Sequence, residues 1–404
     1  MQTNLNFDVL KRGTYLTGLA EIAAQLPSTP AMRPFDDHII EFLNDVSKVL
    51  LRNRAAKAYS DVITFGFWIR KSSVVKLKKR FAKNDGALHM GKGIIFHIAP
   101  SNVPVNFAYS MVAGLLCGNA NVVRVPSKKF PQVGFIIDAI NEVLDQYEEM
   151  KRYVLCVRYE RDKDINDLFS TIADIRIVWG GDQTIKELRK SPLPPRSEEI
   201  TFADRYSLAI IDSDTYLETE DKTHVAENFY NDTFFSDQNA CTSPRIIIWT
   251  GKRIDDAKKA FWEEERKLVE KKYIFQPIQG VNKLIQSCMI AATGLGVKVE
   301  THLDNLIVRV TVPEVTDYLM DYQDNSGYFY EYDCTDIMSL EPICNDKRCQ
   351  TVAYIGDKRA VEPLIKAGIR GIDRVVPMGK TMDFDLIWDG YNLPSLLSRT
   401  IIFD

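Results

Sequence analysis

From Phe35 to Ala56 apolar residues recur at helical spacing (Ile39, Ile40, Phe42, Leu43, Val46, Val49, Leu50, Leu51), with Asp36 and Asp37 near the start. Residues 1 to about 90 read as mainly helical on that pattern. At Gly93 the texture changes. Short apolar runs at Ile94–Ile98, Asn121–Val125, Tyr153–Val157 and Ile175–Trp179 read as buried strands. Between them, Asn106–Cys117, Phe135–Tyr147 and Ile165–Ile172 carry helical periodicity, and Thr184–Arg189 starts another helix. This alternation predicts a doubly wound, mostly parallel α/β sheet, which places ligands at the carboxyl ends of its strands. The proline-rich stretch Ser191–Arg196 interrupts the pattern and is expected to precede a domain crossing. A second α/β series follows, with strands at Ser207–Ile211 and Arg245–Trp249 and helices at Val225–Phe235 and Ala257–Lys271. The last third mixes strands (Leu306–Val312, Thr351–Ile355) with turns and ends in an apolar strand, Thr400–Phe403, suited to another subunit or to a place inside a sheet.

A chain of 404 residues exceeds one ordinary core and predicts two or three domains. A formal charge of -4 gives no electrostatic ground for binding nucleic acid or an anionic membrane, and Lys76–Arg80 reads as a solvated helix face. The polar Met1–Asp8 is followed by no apolar signal region, and no apolar stretch approaches the roughly 20 residues of a membrane span. The expected location is cytoplasmic. Seven cysteines (Cys117, Cys156, Cys241, Cys288, Cys334, Cys344, Cys349) form no paired framework and are expected to be reduced. Five dispersed histidines give no metal-binding spacing, so no metal is expected.

Four loops carry chemistry. In Ala99–Asn106, prolines bracket Ser101 and Asn102 and stiffen the turn. Asn102 there is either a turn residue or an amide donor to a developing oxyanion. In Val123–Lys129, with Arg124, Pro126, Ser127 and Lys128, a strand runs toward a helix start beside two lysines, as a phosphate site or as an ordinary capped helix. Gly180 and Gly181 end a strand before a helix and permit close approach of a pyrophosphate, yet no G-x-G-x-x-G is present. The fourth loop, Ser236–Arg245, puts Cys241 among small polar residues ahead of a buried strand, a setting open to thiolate chemistry as well as to a structural cysteine.

In this order the segments resemble the aldehyde dehydrogenase superfamily, specifically the acyl-CoA reductase family of the bacterial luminescence fatty-acid reductase type. The resemblance rests on His97–Asn106, Gly118–Ser127, Asp204–Ser207, Asp237–Pro244, Gly371–Pro377 and Trp388–Gly390, and spans roughly residues 60 to 404. It implies a Rossmann-type nucleotide-cofactor domain with the helical N-terminal region (1–202), a second α/β catalytic domain carrying Cys241 (203–385), and a segment (386–404) returning to the first side or to an oligomerisation sheet. It further implies that Cys241 attacks an acyl thioester, acyl-CoA or acyl-carrier protein, to form an acyl-enzyme that is reduced to a thiohemiacetal and released as aldehyde. Asn102 falls where the superfamily keeps its oxyanion amide, and Glu341, before Pro342, resembles the acid that holds the nicotinamide ribose. Ser101, Arg124, Pro126, Ser127, Lys128, Gly180 and Gly181 would complete the cofactor site. Where the superfamily has an acid after the strand-end proline, this chain has Lys128, which would attract a 2′-phosphate and so points to NADPH. Thr201 stands where oxidising members carry a Glu base, which favours reduction over hydrolysis to acid. A homo-oligomer and an acyl-transferring partner enzyme are expected. The rival readings are an oxidative aldehyde dehydrogenase, a cofactor-free acyl-transfer protein using Cys241, and a noncatalytic assembly subunit. Acyl chain length and the roles of Gln238 and Asn239 are not set by the sequence.

Overall fold

The structure, a computed structural model, describes residues 6–81 and 85–403; Met1–Leu5, part of the polar N-terminus considered above, lie outside them. The chain divides into two compact units, Met1–Ala203 with Tyr391–Asp404, and Asp204–Gly390.

The first unit opens with a strand, β1 (Thr14–Thr17), and then helices α1 (Ala20–Gln25), α2 (Asp37–Arg52), α3 (Ser60–Trp68) and α4 (Lys71–Phe81). The Asp36 side chain accepts from the His38 amide and caps α2, whose buried stripe is Ile39, Ile40, Phe42, Leu43, Val46 and Leu50. After β2 (Leu88–Gly91) come β3 (Ile94–Ile98), α5 (Asn106–Leu116), β4 (Ala120–Arg124), α6 (Pro131–Leu144), β5 (Val154–Arg158), α7 (Lys163–Ile172), β6 (Ile175–Trp179), α8 (Asp182–Leu188) and β7 (Glu198–Phe202). The six-stranded sheet has the order β1-β5-β4-β3-β6-β7, with β1 antiparallel and the others parallel. Helices cover both faces, so β3 and β6 are buried along their whole length and read as continuous apolar runs.

Two strands of this six-stranded sheet, β1 and β7, went unseen in the sequence, as did β2 outside it and, in the second unit, the strands at Lys298–Thr301, Tyr328–Asp333 and Arg374–Pro377. β1 is only four residues long, and its Thr17 hydroxyl is tied to Val154 O (3.0 Å) and the Cys156 amide (2.8 Å). The proline-rich stretch leads into β7, where Phe202 stacks on Trp179 at 3.6 Å. The C-terminal strand Ser398–Ile401 pairs antiparallel with β2, while Ile402 and Phe403 stay exposed.

The second unit contains β8 (Tyr206–Asp212), α9 (Ser213–Glu218), α10 (Lys222–Asp232), β9 (Pro244–Thr250), α11 (Ile254–Lys272), α12 (Pro277–Ala292), β10 (Lys298–Thr301), β11 (Val308–Thr311), β12 (Tyr328–Asp333), α13 (Glu341–Cys344), β13 (Cys349–Ile355) and β14 (Arg374–Pro377). Its seven-stranded sheet runs β10-β11-β12-β9-β8-β13-β14, parallel apart from β10. Helix α12 was not anticipated. Its buried positions are Lys283, Ser287 and Ile290, whereas Ile278, Val281, Leu284, Ile285 and Met289 face outward, the reverse of an ordinary amphipathic stripe. Both units are thus mixed α/β with parallel-strand sheets. Among the described residues no helix is long and apolar enough to cross a membrane.

Candidate active site

In the first unit the chain steps from β3 to β4 and β5, then returns across β3 to β6, leaving a crevice at the strands' carboxyl ends. Ile98 is level with both Arg124 and Val178, so the loops after β3, β4 and β6 emerge side by side. Ser101, Asn102, Ser127 and Lys128 are exposed there, while Pro126 is buried and its carbonyl accepts from Arg158 Nε (3.0 Å). Arg124 lies with its guanidinium 4.7 Å from the centre of the Tyr159 ring, and Lys128 Nζ lies 4.8 Å from that of Phe130. Gly180 and Gly181 share this edge. Neither adopts the left-handed backbone (Gly181 has φ -62°), and a β-carbon on Gly180 would meet Thr184 at 3.3 Å. Close helix–strand packing, not an unusual conformation, is what the structure asks of Gly180.

A buried polar chain underpins this edge. Trp179 Nε1 donates to Ser110 Oγ (3.0 Å), and Ser110 Oγ lies 2.8 Å from His97 Nδ1. His97 Nε2 lies 2.9 Å from Asn121 Oδ1, and Asn121 Nδ2 donates to Asn119 O (2.7 Å). Burial lowers the His97 pKa to about 4, so the ring is neutral, and the two ends of the chain assign its single proton to Nε2. Gly114 admits Asn121: a β-carbon there would sit 1.9 Å from Asn121 Oδ1.

In the second unit Cys241 precedes β9, in a turn closed by Ser243 N to Ala240 O (3.0 Å). It therefore sits at the amino-terminal edge of its sheet. Asp237 and Gln238 carry left-handed backbone (φ 53° and 58°), which bends the chain into the turn. The Gln238 side chain then replaces a missing ladder step. Its Nε2 donates to Pro244 O (3.0 Å) and Tyr328 O (3.1 Å), and its Oε1 accepts from the amides of Gly327 (3.0 Å) and Tyr328 (3.2 Å). Arg245 fastens the turn from the other side, donating to Gln238 O (3.0 Å) and Asp324 O (2.9 Å). Ser207 Oγ donates to Cys241 O (2.8 Å) and accepts from Thr351 N (3.3 Å), tying β8 and β13 to the same turn.

Cys241 is partly exposed, unlike buried Cys117, Cys156, Cys334, Cys344 and Cys349; Cys288, on α12, is also exposed. Desolvation pushes its thiol up to about 12, and the Asp389 carboxylate adds to the rise. Arg205, the Cys241 amide and a hydrogen bond from Gln350 act in the opposite direction. Burial thus favours the protonated thiol, against the opposing influence of Arg205 and Gln350. Gln350 also donates to Asp389, and Arg205 pairs with Asp373 (2.7 Å) and more distantly with Asp389 (3.8 Å). Burial raises Asp389 to about 6. Asp389 is the carboxylate that acts on the Cys241 thiol, a role that the sequence pattern does not give it. The signal lay in Asp204–Ser207 and Trp388–Gly390, matched as motifs without a role. Glu341 is exposed at the first position of α13, whose Ile343 carbonyl accepts from the Tyr206 hydroxyl (2.9 Å). Among the described residues no group of three or more His, Cys, Asp or Glu side chains could hold a metal.

With this geometry in hand, comparison with known proteins gives a match to the family described as acyl-CoA reductase (LuxC), over residues 71–270, about half of the chain. This chain belongs to the acyl-CoA reductase (LuxC) family. The stretch matched by that family includes Asn102, Ser127, Lys128, Gly180, Gly181 and Cys241, and ends before Glu341, Gln350 and Asp389. A long-chain acyl-protein thioester reductase of Aliivibrio fischeri is 24% identical over 292 residues, 71% of this chain and 58% of that protein. One from Photobacterium phosphoreum is 27% identical over 192 residues, 47% of this chain and 36% of its own length. The aligned stretches thus span from about a third to somewhat over half of these relatives. The fold of this acyl-CoA reductase family member is that of the aldehyde dehydrogenases. A 1-pyrroline-5-carboxylate dehydrogenase from Thermus thermophilus superposes with TM-score 0.65 at 13% identity, covering 95% of this chain and 85% of that one. An NAD-dependent benzaldehyde dehydrogenase from Corynebacterium glutamicum gives 0.65 at 14%, covering 94% and 88%.

Proposed function

We propose that this protein reduces an acyl thioester, acyl-CoA or acyl-carrier protein, to an aldehyde through an acyl-enzyme on Cys241, with NADPH as the reductant. The observation that carries this reading is the Cys241 turn: a partly exposed thiol at a sheet edge, held by Gln238, Ser207 and Arg245 and faced by Arg205, Gln350 and Asp389. The names of the relatives, long-chain acyl-protein thioester reductases, support the thioester as substrate.

The cofactor reading is supported by the crevice at the carboxyl ends of β3, β4 and β6, where exposed Ser127 and Lys128 offer a hydroxyl and a cation to a phosphate and Arg124 lies alongside. A structural neighbour from Thermus was solved with bound NAD, and the resemblance carries that chemistry over in kind. When bound, the reduced nicotinamide supplies the hydride that turns the acyl-enzyme into an aldehyde precursor. The chain's own residues do the rest. The Cys241 sulfur forms a bond to the acyl carbon, the bond to the departing thiol breaks, and that thiolate takes up a proton. By the resemblance, Asn102 is assigned the amide that meets negative charge developing on the acyl oxygen. Thr201 provides no base for water, so the acyl-enzyme awaits reduction.

Intact-mass analysis after adding acyl thioesters of several chain lengths, then NADPH, tests the reading. A Cys241-dependent adduct is expected, lost on cofactor addition. Cys241→Ala should form none, and Asn102→Ala should form it on the order of 100-fold more slowly. An adduct that persists in Cys241→Ala, or that NADPH leaves untouched, refutes the proposal.

A further inference from the structure

The buried polar chain of the first unit is carried by the elements whose ends form the crevice. His97 stands on β3, Asn121 on β4, Trp179 at the last position of β6, and Ser110 on α5, the helix that follows the loop after β3. β3 pairs with both β4 and β6, with His97 level with Val123 on one side and Ile177 on the other. All four side chains are buried. Each has one role open to it. Asn121 Nδ2 already faces two carbonyls, Asn119 O (2.7 Å) and Tyr153 O (3.3 Å), so its Oδ1 accepts from His97 Nε2 (2.9 Å). That leaves Nδ1 of the neutral ring to accept from the Ser110 hydroxyl (2.8 Å). Ser110 Oγ in turn accepts from the Trp179 indole (3.0 Å), which is a donor only. On α5, Ser110 and Gly114 lie one turn apart: the first supplies the hydroxyl and the second leaves room for Asn121. Apolar contacts would hold the same elements together without fixing how far each has slid, whereas a fully satisfied polar network admits one arrangement.

We propose that His97, Ser110 and Trp179 are positioning residues for the cofactor: their hydrogen bonds fix the mutual spacing of β3, β6 and α5, and with it the gap between the loop of Ser101 and Asn102 and that of Gly180 and Gly181. Asn121 extends the same restraint to β4, and so to the loop of Ser127 and Lys128. This deepens the cofactor reading above and rests on it. The members of the chain lie beneath the crevice, and their effect reaches the cofactor through the loops they hold.

The test is calorimetric titration of the full chain with NADPH, beside hydrogen exchange without cofactor. Ser110→Ala takes out the middle link and should weaken NADPH binding about tenfold, the worth of roughly one hydrogen bond to the cofactor. Its amides in residues 99–105 and 180–183 should exchange faster than those of the native protein. Trp179→Phe keeps an aromatic ring to stack on Phe202 and loses only the N–H. It should weaken binding by a smaller factor, and it decides alone if Ser110→Ala does not fold. Thr17→Val is the control for general destabilisation. The Thr17 hydroxyl makes two buried hydrogen bonds at the far edge of the same sheet, so its loss should lower the melting temperature yet leave NADPH affinity within about twofold of native. Native affinity in Ser110→Ala, or in Trp179→Phe where that variant stands in for it, overturns the proposal. So does a Thr17→Val protein weakened as much as Ser110→Ala. Should the native protein bind neither NADPH nor NADH, the cofactor reading falls on its own, and hydrogen exchange decides on the chain: faster exchange confined to the crevice loops upholds its restraint on them, and unchanged exchange overturns it.

Discussion

Proton affinity alone does not single out Cys241 among the cysteines. Burial pushes Cys156 up to about 12, as it does Cys241, and pushes Cys117 further still. What separates Cys241 is its partial exposure together with Arg205 and Gln350, which oppose that rise. Lys128 is a second residue whose effect is electrostatic. It stands exposed just beyond β4, followed by Lys129, in a loop that holds no carboxylate. A cation there attracts a 2′-phosphate and an acid would repel it. Lys128→Glu should therefore lower kcat/KM with NADPH by about tenfold or more while leaving the NADH value little changed, and the NADPH preference should shrink as salt is raised. Steady-state kinetics with both cofactors at two ionic strengths checks this; equal efficiency with both in the native enzyme, unmoved by the substitution, would remove the cofactor assignment.

At the scale of elements, the Cys241 turn is a joint between β9 and β12 made by one side chain. Replacing Gln238 by Leu would leave the amides of Gly327 and Tyr328 and the carbonyls of Pro244 and Tyr328 without that partner in a buried place. Each unmet buried group costs about 1–3 kcal/mol, though the four are not additive, so a loss of at least about 3 kcal/mol is expected in denaturant unfolding. Gln238→Glu is nearly the same size but sets a carboxylate oxygen against two carbonyls. It should also destabilise, whereas a role limited to filling space would leave it near native. The sequence did not reveal this joint, because a glutamine acting as a backbone substitute has no local signature. β3 and β6 were legible because covered parallel strands are apolar throughout. α12 was not, since its buried face holds Lys283, whose ammonium donates to Leu306 O (2.9 Å) and Ser326 O (2.7 Å), while its large apolar residues point outward. The Cys241 loop could be recognised as a contiguous motif. Gln350 and Asp389 could not, being brought to Cys241 only by strand order and a bulge.

At the scale of the molecule, the chain leaves its first unit at Ala203 and returns to it at Tyr391, so the last residues are structural members of that unit. Several contacts make the return, among them these. Tyr391 packs edge-on against Phe202 at 5.5 Å, Asn119 Nδ2 donates to Leu397 O (2.9 Å), and Ser398–Ile401 pairs with Leu88–Gly91. Among the described residues the strand at Leu88–Gly91 has this segment as its one sheet neighbour, so without it the backbone groups that face it lose their ladder just ahead of β3. Ending the chain after Gly390 should therefore deprotect, in hydrogen exchange, the amides of this strand that face the terminal segment, while Gly91, whose N–H donates to Met32 O (2.9 Å), stays protected. Protection should weaken at Asn119, whose side chain loses Leu397 O, and at Asn121, which donates to the Asn119 carbonyl. The amides of β9 and β12 serve as the internal reference, since no part of the deleted segment belongs to their sheet. Unchanged protection at Leu88–Met90 would show that the terminal strand is a passive tail; selective loss there would show that the first unit is completed only when the last residues of the chain arrive.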